Sequence, residues 1–272
     1  MLSSYETFVK FYDTTSLVLV PKGTKKISSK LKSNDKDGCT VMVTLDMIGN
    51  RVLPPVIVFT GKFGKTNMKK YKSETKATVL FSQTHWMTVH CLKLYFKYLA
   101  AYYPGKKIGL IYDSAPTHLH QNLKIWIDEW NKNPSRPCEF HVEFIDPHLT
   151  SVYQPPDVFF NKPFKHSLRK KYNEYVTYLS SQDLIRAGDD VSISREILID
   201  FITSSFNEAN VKYNENKDIS KSFERCGLNP FCNDDSKFRE HLNSLDESMI
   251  YDSLINNQEP ADCSTNYTFC NR

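Results

Sequence analysis

No stretch of the 272-residue sequence approaches the roughly 18 consecutive apolar residues of a membrane-spanning helix. The longest apolar runs are short, such as 54–59. The opening residues, MLSSYETFVKFYD, have neither a basic n-region nor an apolar h-region, so no secretory leader is expected. Glycine is scarce, at nine residues, and neither a glycine-rich phosphate loop nor an internal repeat is present. The seven cysteines, at 39, 91, 138, 226, 232, 263 and 270, contain no CxxC pair. Their odd number and wide spacing argue for reduced thiols rather than a disulfide framework. Cys138 with His141, and His118 with His120, lack the second ligand pair that a structural zinc site needs.

What is present suits a folded domain. Hydrophobic residues make up 40% and charged residues 24% of the chain, a composition unlike that of disordered chains. The net charge of +4 is unevenly spread: residues 233–272 hold eight acids against three bases, which leaves +9 on residues 1–232. A basic body with an acidic tail points toward polyanions, with nucleic acid the simplest.

Pattern divides the chain into strands first and helices later. The aromatic, β-branched segment 7–12 predicts a strand ending at Asp13. Segments 39–45 and 52–59 predict a hairpin about the turn 47–50, and Pro54-Pro55 places its return strand at a sheet edge. Strands are expected at 107–112 and 140–145, ending at Asp113 and Asp146, with helices at 88–103 and 119–130. A long helix follows Pro155-Pro156-Asp157, its apolar stripe running through Phe160, Phe164, Leu168, Tyr172 and Leu179. Pro163 is expected to kink or tighten its first turns. Two more helices are expected at 194–209 and 220–227, before a loosely ordered acidic stretch from Asp234. The organisation is thus one domain over 1–230 and an acidic tail over 231–272. Its class is α/β, a five-stranded mixed sheet of order 3-2-1-4-5 flanked by helices, as in ribonuclease H-like folds.

In that order strands 1 and 4 are parallel neighbours, and Asp13 and Asp113 meet at their carboxyl ends, where α/β proteins place ligand sites. Asp157 leans in from the start of the long helix. Three converging carboxylates repel unless a cation neutralises them, and hard oxygen ligands favour Mg²⁺ or Mn²⁺. Two such ions promote phosphodiester displacement. Each aspartate also has an ordinary reading: Asp157 as a helix cap, Asp113 in the turn Asp113-Ser114-Ala115-Pro116. Asp46, before the hairpin turn, and Asp146 are rival acids, and the turn by itself accounts for Asp46.

Five segments carry a family likeness: YDTT at 12–15, CTVMVTLDMIGNRVLPPVIVFTG at 39–61, LIYDSAPTH at 110–118, LTSVYQPPDVFFNKPFK at 149–165 and SFERCGL at 222–228. In these words and this order the chain resembles the DDE-type transposases of the pogo, Tigger and jerky-like group. The resemblance implies a ribonuclease H-like catalytic domain whose metal-binding acids fall on Asp13, Asp113 and Asp157. It also implies a pair of Mg²⁺ or Mn²⁺ ions, DNA as substrate, cleavage followed by strand transfer, and a nuclear location. The 43 residues between Asp113 and Asp157 are more than is usual in the group, with the excess around 131–138. The group's amino-terminal helix-turn-helix part has no counterpart in these residues.

Lys162, Lys165 and Arg169, joined by Lys170 and Lys171, form a stripe on the long helix suited to DNA phosphates, or else a solvated face. His118 either orients Asp113 or a phosphate, or packs against the following helix. The expected partner is DNA, with a homodimer allowed and no membrane. The alternative function is a non-catalytic or co-opted remnant that binds DNA or a nuclear partner.

Overall fold

In a computed structural model, the structure describes residues 1–11, 38–62, 76–185, 191, 193–214 and 216–245. Asp13 lies outside them, as do most of the two basic connections at 22–36 and 62–76.

The first strand, β1 (Leu2–Lys10), starts five residues before the expected 7–12. Residues 2–6, LSSYE, carry too little apolar character to announce a buried strand, yet Ser3 and Ser4 are fully buried. Buried hydroxyls favour partners, and Ser4 finds them: its Oγ lies 3.3 Å from Thr44 Oγ1 and 2.6 Å from Tyr95 Oη, whereas Ser3 Oγ has none among the described residues.

β2 (Gly38–Asp46) pairs antiparallel with β1 along its whole length. Its return strand is split into β3 (Arg51–Val52) and β4 (Val56–Thr60) by Pro54-Pro55. A further strand, β5 (Thr78–Ser82), pairs parallel with β4 and forms the edge. The expected edge position of the 52–59 strand is therefore corrected. The prolines interrupt that strand, where their missing N–H groups cost no ladder bonds, and β4 pairs on both sides.

Helix α1 (Val89–Tyr102) starts at Thr88, whose hydroxyl accepts from the Cys91 N–H at 3.2 Å. It stops before Pro104-Gly105, with Gly105 at φ +72°. β6 (Lys107–Asp113), α2 (Gln121–Lys132) and β7 (Glu139–Ile145) follow, with β6 parallel to both β1 and β7. The sheet order is β5-β4-β2-β1-β6-β7. This is the expected 3-2-1-4-5 arrangement with one added edge strand, a ribonuclease H-like sheet. Two asparagines pair strand backbone from the helices. Asn131 accepts from Phe140 N–H and donates to its C=O (2.9 and 2.7 Å), and Asn210 does the same for Val52 (2.7 and 2.9 Å).

A short helix α3 (Thr150–Tyr153) leads to a π-helical turn (Pro156–Phe160) that runs straight into α4 (Asn161–Ser181). The wide turn falls where Pro163 can neither donate to nor approach the Phe159 carbonyl. α5 (Arg195–Asn214) and α6 (Asp218–Arg225) pack on the same side of the sheet. Two cores result. One lies between the sheet and α4–α6, centred on Phe160, Phe164, Phe206 and Phe223. The other lies under α1 and α2, centred on Tyr95, Phe96, Leu99 and Phe140. The stretch expected to be loosely ordered from Asp234 begins instead with α7 (Ser236–Ser244). Phe238 anchors it, 5.7 Å from the Tyr153 ring and against Gly227. The five described cysteines are unpaired. Among the described residues no helix is long and apolar enough to cross a membrane.

Candidate acidic site

β6 ends at Asp113, and the chain then turns sharply. The Asp113 carboxylate stabilises this turn by accepting from the Ala115 N–H at 3.1 Å. The turn brings His118 back beneath the strand end, its side chain only 2% exposed. His118 Nδ1 lies 2.5 Å from Asp113 Oδ1, and Nε2 lies 2.7 Å from Glu6 Oε1 on β1. The ring also packs edge-on against Tyr112, centroids 4.3 Å apart. Of the two readings of His118, the one that orients Asp113 describes its contacts.

The electrostatics of this clamp follow from its geometry. Burial alone would push the imidazole down, but hydrogen bonds to Asp113 and Glu6, with their charges, outweigh it and raise His118 to about 9. It is therefore a cation at neutral pH, donating from both ring nitrogens. Burial would push Asp113 up, yet the His118 hydrogen bond and charge and the Ala115 N–H hold it below its usual range.

Asp157 arrives from a different part of the chain. Gln154, fully buried, donates from Nε2 to the Ser4 carbonyl at 2.8 Å, tying the turn before Asp157 to β1. The Asp157 and Val158 N–H groups both donate to the Gln154 carbonyl, and Asn161 Nδ2 donates to Asp157 Oδ1 at 3.0 Å. Gln154 Oε1 and Asn161 Oδ1 are buried without a hydrogen-bond partner, so the turn carries oxygen acceptors in excess of donors.

Within reach of both aspartates' charges is a residue that sequence reasoning passed over. β1 and β6 are in parallel register, Leu2 with Leu110 and Ser3 with Ile111; two residues further on, Tyr5 is level with Asp113. Because Ser4 points toward α1, strand alternation turns Tyr5 to the opposite face. Burial and the charges of Asp157, Asp113 and Glu6 push its phenol up to about 12. Tyr5 and Glu6 were missed because the strand was expected to begin at residue 7.

The charges of both Asp113 and Asp157 thus reach Tyr5, while Asp13 lies outside the described residues. Among the described residues no three His, Cys, Asp or Glu side chains are grouped to hold a metal ion. The chemistry of Asp113 and Asp157 fits two ligands of a hard cation. Asp46 is explained by the hairpin: it accepts from Gly49 N–H (3.0 Å), Arg51 Nε (3.3 Å) and Tyr103 Oη (2.8 Å). A Cβ on Gly49 would lie 2.2 Å from Asp46 Oδ2, so a side chain there would displace that carboxylate from its partners. Asp146 is exposed beyond β7.

On α4, Lys162, Lys165, Arg169 and Lys170 are exposed. Lys162, His166, Arg169 and Lys212 line a groove between α4 and α5. Lys171 departs from the stripe: it is half-buried and paired with Glu208 of α5.

Residues 36–211, a span that includes Asp113 and Asp157, match the DDE superfamily endonuclease family. No curated protein is significantly similar in sequence. Among solved structures, the Mos1 transposase paired-end complex with left transposon end is similar over 83% of this chain and 53% of that one, at 14% identity and a TM-score of 0.38. The Mos1 strand transfer complex is similar over 83% and 52%, at 12% identity and a TM-score of 0.42. The chain spans about half the length of those transposase chains. With more than half of its residues inside the matched span, the chain belongs to the DDE superfamily endonucleases.

Proposed function

We propose that this chain is a pogo-like, transposase-derived domain that acts on DNA phosphodiesters with Mg²⁺ or Mn²⁺. In this reading Asp113 and Asp157 hold the metal, with Asp13 as the third ligand and two ions as the full complement. The observation that supports it is that the charges of Asp113 and Asp157, more than 40 residues apart and both inside the span that matches the DDE superfamily endonucleases, act on Tyr5 of β1. Bound divalent ions supply an activated attacking oxygen and stabilise the leaving one. The protein's own part is positional. His118 holds the Asp113 carboxylate through Oδ1 and offsets its charge, and Gln154 fixes the Asp157 turn against β1. Lys162, Lys165, Arg169 and Lys170 neutralise DNA phosphates, which orients the duplex without reading its sequence. Strand transfer, nuclear placement and assembly as a homodimer belong to the same proposal.

The test is nicking of supercoiled DNA in Mg²⁺ or Mn²⁺, with Asp113→Asn and Asp157→Asn beside the native protein. Loss of nicking in both variants supports the reading, and equal nicking in all three ends it. One observation favours a second reading, a non-catalytic remnant that binds DNA: the β1 position level with Asp113 carries a phenol instead of a carboxylate. Salt-sensitive DNA binding without nicking at any metal concentration is the result that reading expects.

A further inference from the structure

We infer that Tyr5 fills a ligand position that β1 offers beside Asp113 and Asp157, and that it thereby holds the site's affinity for divalent cations low. The inference rests on the reading of these two aspartates as ion ligands. Three observations carry it. The parallel register of β1 and β6, Leu2 with Leu110 and Ser3 with Ile111, continued two residues sets Tyr5 level with Asp113, so both side chains leave the same face of the sheet. The charges of Asp157 and Asp113 both reach it, so it lies within electrostatic range of each. Its hydroxyl makes no hydrogen bond among the described residues, so no protein partner there fixes its position.

The neighbouring carboxylate cannot stand in for it. Glu6 leaves the opposite face of β1, and its Oε1 is held by His118 at 2.7 Å. A neutral phenol brings no charge to a hard cation, and affinity in such sites follows the number of charged oxygen ligands. A carboxylate at position 5 would add a further charged ligand on the face of the sheet that Asp113 leaves.

The experiment is calorimetric titration of the 272-residue chain with MnCl₂, with circular dichroism and thermal melts reporting folding. Native protein is expected to bind weakly and Tyr5→Asp at least about tenfold more tightly. The gain should vanish when Asp113→Asn or Asp157→Asn is added. Tyr5→Glu is the second variant should Tyr5→Asp unfold, and Tyr5→Phe should bind as the native protein does. Folded Tyr5→Asp and Tyr5→Glu that bind no better than the native protein overturn the inference, as does a gain that survives Asp113→Asn. If native binding falls with Asp113→Asn but neither carboxylate variant gains affinity, the ion-ligand reading stands and the role of Tyr5 falls. If the gain appears but no variant nicks DNA, Tyr5 keeps its role and the catalytic reading falls.

Discussion

His118 shows how much one side chain contributes to this site. Its folded-state pKa of about 9 exceeds the ordinary 6.5, so the protonated ring favours the folded state. That contribution is complete below about pH 6.5 and disappears as pH rises through about 9; its size is of order 3 kcal/mol. Urea unfolding of native protein and His118→Gln should therefore show a stability gap at pH 6 that narrows by pH 9.5. A constant gap across that range contradicts the clamp. At Asp46 the prediction is purely structural: Asp46→Ala leaves the Gly49 N–H and the Tyr103 hydroxyl without their acceptor. Chemical denaturation should show a loss of roughly 2 kcal/mol. Asp46 was legible as a turn residue because aspartate before a tight turn has a mechanism in sequence. His118 was not, because its partners lie at positions 6 and 113, and only folding brings position 6 near.

Elements were readable where their burial was apolar. The β2–β4 hairpin, α1, β6, α2, β7 and α4 announce themselves through β-branched runs or helical stripes. β1 hid five residues of its length because two buried serines interrupt the pattern: the Ser4 hydroxyl is taken up by Tyr95 and its carbonyl by Gln154, while the Ser3 hydroxyl is buried without a partner among the described residues. β5 escaped notice as a five-residue strand beside a lysine-rich connection, although TVLF carries the composition of a strand. The side-chain pairing of strand backbone by Asn131 and Asn210 is invisible in sequence, since any helix asparagine could face water. Asn210→Ala removes both partners of Val52 and should lower stability by about 2 kcal/mol in a denaturant titration. A change within a few tenths would show that water replaces the amide.

Across the molecule, the sheet separates two tasks. Both sides hold an aromatic core, but the α4–α6 side also carries Tyr5, Asp157 and the basic face of α4. The fold order was accessible because meander-then-βαβ patterning leaves few topologies; the meeting of Asp113 with Tyr5 was not, because it depends on a register that pattern cannot set. DNA binding should follow the exposed lysines. Lys162→Ala and Lys165→Ala should each reduce the slope of log affinity against log salt by about 1. Lys171→Ala should change it less, because that ammonium already faces Glu208. Equal slopes in all three variants would remove α4 from the DNA contact.

The account turns on Asp113 and Asp157 sharing one cation. Mn²⁺ added stepwise to ¹³C,¹⁵N-labelled protein broadens NMR signals within reach of the bound ion, independent of any activity. The signals of Asp113, Asp157 and Tyr5 should broaden together at the same metal concentration, and Asp113→Asn should abolish the effect at Asp157. Broadening that reaches one aspartate and spares the other, or that ignores all three, contradicts it.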